Sequence, residues 1–359
     1  MTPLRDILTG ALVLAPMTKG SNLPYRRLCQ QFGARVTMSE MTVARRLKQK
    51  RRSEFALIRK FPDERFFGVQ LAGNKPEEMA WAAALVAERG ADLVDVNLGC
   101  PIDYFTSKGL GAALAREPRR VFRIVEAMKQ AVTVPVTVKI RLGWNDDNRN
   151  YMAVAKAAVD AGADAITVHG RTRAARYKNA ADWDAIAEVA ASVPVPVIGN
   201  GDILFGHQLA PRLAQSGCVA AMSARGVLIK PWLFQEVLEG DMDPSAETRV
   251  GYYRQYVALA KEHWGEDEYG LGRVREFLLW HLNFWYRHAP QREDGSYPAM
   301  QQRESWTPRS PLEALLARAD GPAHAFLADA LIGGSEVDPA QAPEQVEARE
   351  IDDDKAEAG

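Results

Sequence analysis

The sequence predicts an α/β fold, a (β/α)8 or TIM barrel, followed by a small C-terminal helical domain. Short apolar runs alternate eight times with helix-compatible stretches over about 230 residues, close to the roughly 250 typical of such a barrel. Two Gly-Ala-Asp turns, Gly90-Ala91-Asp92 and Gly162-Ala163-Asp164, each close a helix and open a buried strand, the grammar of parallel β/α units. An open doubly wound sheet is the alternative fold. It calls for G-x-G-x-x-G after its first strand, whereas Gly109-Leu110-Gly111 lies in the fourth loop and lacks the third glycine.

The first strand is the apolar run Ala11 to Ala15, stopped by Pro16-Met17-Thr18 and followed by a helix over Pro24 to Phe32. Arg35 to Ser39 is the second strand, ending at Glu40 and Met41, and Phe66 to Leu71 the third. A helix follows over Pro76 to Arg89, with proline in its first turn and Gly90 just past its end. Asp92 to Asn97 is the fourth strand, with its helix over Pro118 to Ala131. Val134 to Arg141 is the fifth, with a helix over Tyr151 to Ala161. Ala163 to His169, Val195 to Gly199 and Val219 to Ser223 are the last three, with helices over 180–191, 206–215 and 231–238. After Pro244 the strands stop. Thr248 to His263, Gly272 to Arg287 and Pro311 to Leu331 read as helices, the last two joined by a long polar connection, Pro290 to Ser310. The expected organisation is a catalytic barrel over 1–240, a helical domain over 241–335 and an acidic tail over 336–359.

The net charge of -1 conceals an asymmetry. The last 24 residues carry nine acids against Arg349 and Lys355, a net of -7, which leaves +6 for the body. So acidic a segment, with almost no aromatics, buries too little to order itself and reads as a solvated tail. No apolar run reaches the roughly eighteen residues of a membrane span, and the N-terminus has no basic-then-apolar leader, so a cytoplasmic protein is expected. Three scattered cysteines, Cys29, Cys100 and Cys218, make neither a disulfide framework nor a metal module, so no metal is expected. A monomer is the expectation.

In such a barrel the loops after the strands converge on one face, so strand-end residues read as a list of functional groups. They are Pro16 and Met17, Glu40, Gln70, Asn97 and Cys100, Lys139 and Arg141, His169 and Arg171, Asn200, Gly201 and Asp202, and Arg225 and Gly226. Cys100 stands at the end of the fourth strand between Gly99 and Pro101, which fix the backbone on either side of the thiol. A lone cysteine is otherwise a small buried hydrophobe. Held in one orientation, it suits a proton donor. Gly199-Asn200-Gly201-Asp202 and Ala224-Arg225-Gly226 put glycines and backbone N–H groups where such barrels bind phosphate. Gln70, Lys139 and His169 then offer an amide, a cation and an imidazole to a heteroaromatic ring, a set that fits flavin mononucleotide. The basic run Arg45-Arg46-Leu47-Lys48-Gln49-Lys50-Arg51-Arg52, with Lys19, Arg26 and Arg27, can follow a phosphodiester backbone or form a solvated helix face.

These residues resemble the tRNA-dihydrouridine synthase family. The motifs are Ala15-Pro16-Met17, Ser39-Glu40-Met41, Gly68-Val69-Gln70-Leu71, Asn97-Leu98-Gly99-Cys100-Pro101, Val138-Lys139-Ile140-Arg141, Val168-His169-Gly170-Arg171-Thr172, Gly199-Asn200-Gly201-Asp202 and Ala224-Arg225-Gly226, in order through residues 12 to 238. Thr18 to Pro24, Cys100-Pro101-Ile102-Asp103 and Lys230 to Phe234 are most similar to the eukaryotic-type subclass acting on the tRNA variable loop. That subclass carries cysteine-rich zinc fingers ahead of the barrel, a segment these 359 residues do not hold. The resemblance implies an FMN-bound barrel that reduces the C5–C6 double bond of a uridine in tRNA or another structured RNA, followed by an RNA-gripping helical domain over 241–335. NADPH is the reductant, the hydride goes to C6, and the proton passes from Cys100 to C5. It further implies that Gln70 and Lys139 contact the flavin ring and that Pro16, Met17 and Thr18 line its floor. His169, Asn200, Gly201, Asp202, Ala224 and Arg225 serve the ribityl-phosphate end. Asn97, Arg141, Arg171 and Tyr177 face the substrate, as do Lys19, Arg45 and Arg46. The same chemistry on ribosomal RNA, a small-molecule FMN ene-reductase and a non-catalytic tRNA chaperone are the alternatives.

Overall fold

Nine short parallel strands make the frame in the computed structural model, which describes residues 3–292, 294–297 and 306–347. They are β1 (Leu12–Leu14), β2 (Thr37–Met38), β3 (Thr42–Val43), β4 (Phe67–Ala72), β5 (Leu93–Leu98), β6 (Val136–Arg141), β7 (Ala165–His169), β8 (Val197–Asn200) and β9 (Ala220–Ser223). They pair in the order β1-β9-β8-β7-β6-β5-β4-β2, with β3 also on β4. A bridge between Val13 and Val36 closes the ring. The fold is therefore the (β/α)8 barrel the sequence predicts.

Its second stave differs from the single expected strand. Thr37 pairs with Phe67 but Thr42 pairs with Leu71, so one extra residue is taken up across Ser39–Met41. The Gln70 N–H is accepted by Ser39 Oγ instead of a ladder carbonyl. A bulge of this kind bends the strand and re-aims its side chains.

Alternation sorts each strand into an outer and an inner set. Val94, Val96 and Leu98, like Val136, Val138 and Ile140, pack outward in the large apolar layer beneath the helices. The inner set changes character along the strand. Leu93, Ala165 and Ile198 join Val13, Val36 and Met38 in an apolar plug at the strand starts. Asp95 and Asn97, Thr137, Lys139 and Arg141, Thr167 and His169, and Asn200 follow toward the C-terminal ends. Register sets them side by side, Asp95 opposite Thr137, Asn97 opposite Lys139 and His169 opposite Asn200.

After the barrel come helices Ala246–Trp264, Glu268–Trp285, Pro311–Leu316 and Gly321–Gly333. The expected single helix over 311–331 is broken. Asp320 accepts the Ala323 N–H as an N-cap and Pro322 has no N–H to return to the preceding turn. The acidic tail also starts later than expected. Val337 is buried, and Arg318 donates to the carbonyls of Pro343 and Glu344, so the chain through 344 lies on the helical domain. Its remainder from 348, and part of the polar connection (293 and 298–305), lie outside the described residues. Among the described residues, no helix is long and apolar enough to cross a membrane.

The helical domain docks beside the barrel mouth through the helix Leu23–Gln31. Tyr25 stacks on His281 at 4.2 Å, and Asn22 Nδ2 meets His281 Nε2 at 3.1 Å. Glu40 is buried nearby and accepts the Lys19 N–H at 2.7 Å. Burial pushes its carboxyl up to about 7 from the ordinary 4.5, against the opposing pull of Lys19 and Arg26. In the folded state Glu40 keeps its proton between those two values while the unfolded chain releases it. Stability contributed here is present below about pH 4.5 and lost as pH rises through 7. Urea unfolding of Glu40→Gln should match wild type near pH 4.5 and exceed it by up to about 3 kcal/mol at pH 8. Equal pH dependence of the two would contradict this placement.

Candidate active site

The polar inner ends of the strands and the loops beyond them surround one cavity of about 400 Å³. Its lining includes Cys100, Pro16, Met17, Thr18, Gln70, Lys139, His169, Asn200, Gly201, Asp202, Ala224 and Arg225, and also Asn97, Arg141, Arg171 and Tyr177. Lys19, Arg45 and Arg46 are not among its walls. Lys19 pairs with Glu276 of the helical domain at 3.3 Å. Arg45 is exposed on the short helix Ala44–Lys48, and Arg46 reaches the rim through Tyr104 Oη at 3.0 Å. The expected grouping of Arg26 and Arg27 with the basic run does not hold either. Arg26 is buried against Glu64 at 2.8 Å, and Arg27 pairs with Glu262 at 2.9 Å.

A hydrogen-bond chain organises the wall that carries the thiol. Asp95 accepts from Thr137 Oγ1 at 2.7 Å and from Gln70 Nε2 at 2.8 Å. Gln70 Oε1 accepts from Asn97 Nδ2 at 2.7 Å, and Asn97 Oδ1 accepts the N–H groups of Gly99 and Cys100 at 3.2 and 2.9 Å. The backbone that presents Cys100 is thus tied, through two amides, to a carboxylate at the floor. The sequence reading gave Asp95 no role, although it stands two residues before Asn97 and so shares its inward face. That parity was the available signal. Trp280, which closes the cavity from the helical domain, had no comparable signal because its place depends on docking.

Two arginines serve the loops more than the open space. Arg141 donates to the carbonyls of Gly99 and Thr172. Arg171 Nη2 donates to both carboxylate oxygens of Asp202, each at 2.7 Å, and its Nε donates to Asn179 O. Asp202 also accepts the Ala181 N–H at 2.6 Å, so its carboxylate is engaged by protein. Tyr177 lies under the guanidinium groups of Arg225 and Arg141, at 4.5 and 5.7 Å, and 6.2 Å from His169.

Five cationic side chains, Lys139, Arg141, Arg171, Arg176 and Arg225, line the cavity against two carboxylates, Asp103 and Asp202. The field shows in the titrating groups. Burial first, then Arg141, brings Lys139 down to about 7, while its Nζ donates to Asn200 Oδ1 at 2.9 Å. Burial and the surrounding cations hold His169 well below 6.5, so its ring is neutral. Burial raises Asp95 to about 6 and pushes the Cys100 thiol up from 9.0, so it stays protonated at neutral pH. Two glycines let the last loops approach. A Cβ on Gly226 would sit 2.0 Å from Ile203 O, and one on Gly201, at φ 138°, 2.5 Å from Ala181 Cβ. The N–H groups of Ala224, Arg225 and Gly226, at the start of the helix Arg225–Ile229, have no partner carbonyl within that helix.

Fold and site together define a (β/α)8 barrel with a cationic cavity at its mouth. The chain belongs to the dihydrouridine synthase (Dus) family, whose sequence profile matches residues 13–304. It is 42% identical over 286 residues to the tRNA-dihydrouridine(47) synthase (NAD(P)(+))-like protein of Homo sapiens, covering 79% of this chain and 44% of that one. It is 37% identical over 351 residues to the tRNA-dihydrouridine(47) synthase (NAD(P)(+)) of Malassezia globosa, covering 90% of this chain and 46% of that one. The rice relative, from Oryza sativa subsp. japonica, named as the human protein is, shares 39% over 306 residues, 83% of this chain and 44% of its own. The chain spans a little under half the length of these relatives.

Replacing Asp95 by Ala leaves two buried donors, Gln70 Nε2 and Thr137 Oγ1, without their acceptor. Urea unfolding at pH 7 should show a loss of about 1–3 kcal/mol. Amide hydrogen exchange at Gly99 and Cys100 should quicken at the same time. A stability loss with unchanged exchange there would detach the thiol loop from Asp95.

Proposed function

We propose that the chain is an FMN-dependent, NADPH-using tRNA-dihydrouridine synthase. It reduces the C5–C6 double bond of a variable-loop uridine, position 47 in the names of its relatives. The observation that carries this reading is Cys100. Its thiol stands in the wall of a cationic cavity, its backbone is held by Asn97, and burial keeps it protonated.

The residues fit FMN by their chemistry. The glycine-bearing loops after β8 and β9 offer the N–H groups of Gly201, Asp202, Ala224 and Arg225 to a phosphate, with the Arg225 guanidinium beside them. Gln70, Lys139 and neutral His169 face the ring, Asn200 holds the Lys139 ammonium, and Pro16, Met17 and Thr18 form the floor. Bound there, FMN supplies the hydride that no side chain carries, with NADPH as the source of its electrons. Cys100 gives its Sγ proton to C5 as C6 receives the hydride. One hydride and one proton saturate the bond, and water returns a proton to the thiolate. The second amide hydrogen of Asn97 and the Tyr177 ring address the uracil. A cavity of about 400 Å³ admits a ring and a base but no duplex, so the uridine enters flipped out of its stack.

Cys100→Ala should retain FMN, read from the absorbance of the purified protein, and lower dihydrouridine formation on unmodified tRNA by about 10²–10⁴-fold, mapped by mass spectrometry. In wild type that step should not decline from loss of the acid until above pH 9, because the thiol titrates above its ordinary value. If neither protein forms dihydrouridine while FMN is bound and NADPH is oxidised, the RNA assignment fails and a small-molecule reductase takes its place.

A further inference from the structure

We propose that the RNA backbone flanking the reacting uridine lies along a basic belt on the barrel rim after β3, β4 and β5, across the mouth from the helical domain. This rests on the reading of the chain as an enzyme acting on tRNA.

Charge is divided sharply between the two parts of the chain. Residues 1–240 carry 33 Lys and Arg against 23 Asp and Glu, a net of +10, whereas residues 241–335 carry 10 against 14, a net of -4. A phosphodiester chain gains affinity by exchanging condensed counterions for lysine and arginine, and the barrel supplies them. On the helical domain three partly buried cations of the two long helices are matched internally. Arg273 pairs with Glu276 at 2.7 Å, Arg275 with Asp329 at 2.9 Å and Lys261 with Glu266 at 3.3 Å. Where that domain meets the barrel, Glu276 and Glu262 neutralise Lys19 and Arg27.

The opposite rim is different. Arg45, Lys48, Lys108, Arg119 and Arg123 are exposed, and none forms a salt bridge among the described residues. Between them Arg46, paired with Glu54 at 3.2 Å, and Arg120, paired with Glu117 at 3.4 Å, join Lys108 in contacts that run from loop to loop. Arg46 Nη2 donates to Tyr104 Oη at 3.0 Å, and Lys108 Nζ lies 3.5 Å from the centre of the same ring. Asn74 Nδ2 donates to Lys108 O at 2.8 Å, and Arg120 Nε donates to Asn74 O at 3.1 Å. Beyond Arg120 the belt continues into a groove walled by Asn74, Lys75, Arg119, Arg120 and Arg123, with Glu77 and Glu117 at its edge. Tyr104 connects this surface to the chemistry. It is 51% exposed, lines the cavity, and follows Cys100 by four residues. An RNA strand resting on the belt reaches the cavity beside the thiol. The helical domain, with Trp280 in the far wall, bounds the opening on the other side.

The test uses the full-length, flavin-loaded chain and an end-labelled, unmodified tRNA transcript, with affinity measured across a salt series. The triple variant Lys108→Gln/Arg119→Gln/Arg123→Gln should weaken binding about tenfold or more near 150 mM salt, and flatten the plot of log affinity against log salt by about two. KM for the RNA should rise while kcat changes little, and FMN content and NADPH oxidation should stay as in wild type. Lys261→Gln/Arg273→Gln/Arg275→Gln on the helical domain should change affinity less than about threefold. Wild-type affinity and slope in the belt variant, or a larger loss in the helical-domain variant, would overturn the proposal and move the grip to the helices. If wild type forms dihydrouridine and the belt variant is unaffected, the belt alone falls. If wild type neither binds tRNA nor forms dihydrouridine, the functional reading falls and takes the belt with it.

Discussion

Asp95 at the floor of the cavity is the group on which the mouth depends. Its two oxygens hold Gln70 and Thr137, Gln70 orients Asn97, and Asn97 holds the backbone that presents Cys100. A buried carboxylate is costly unless hydrogen-bonded and faced by opposite charge. Asp95 has both, with two short hydrogen bonds and the ammonium of Lys139 on the neighbouring strand. The cost that remains appears as its rise to about 6. Because Gln70 and Asn97 each both donate and accept, neither amide can turn without leaving a buried group unpaired.

Above that floor the cavity is held open by arginine. Arg141 draws the loop after β5 to the loop after β7, and Arg171 draws the loop after β7 to that after β8. Both use their fork geometry on protein partners, a role lysine could not fill. The result is a positively charged space in which burial shifts the titrating groups toward their uncharged forms. Lys139 is brought toward neutrality, His169 is uncharged, and Cys100 retains its proton. The helical domain contributes a wall and two acids that cancel basic residues on its side of the mouth, which leaves the opposite rim as the cationic approach.

The barrel was legible in the sequence because strand alternation and Gly-Ala-Asp turns are local signals. The same alternation brought the residues from Gln70 to Arg225 to one face, and it would have added Asp95 had the parity been followed one step inward. Local signals failed where a single residue changed the geometry. The bulge at Ser39–Met41 is invisible to periodicity, and the Gly321-Pro322 break in the last helix was passed over for its apolar face. The tail was misjudged over 336–344 because composition measures what a segment can bury, while Arg318 holds it through its backbone carbonyls.

The eight-fold alternation of strand and helix, the inward residues of the strands and the family motifs could be read from spacing along the chain alone. What each charge does emerges once the chain is folded. Lys19, Arg26 and Arg27 look equivalent to Arg45 and Arg46 in the sequence, yet the first three meet Glu276, Glu64 and Glu262 from distant segments. Arg171 and Asp202, 31 residues apart, become one ion pair. Coulombic partnership depends on distance in space, and no periodicity along the chain encodes it.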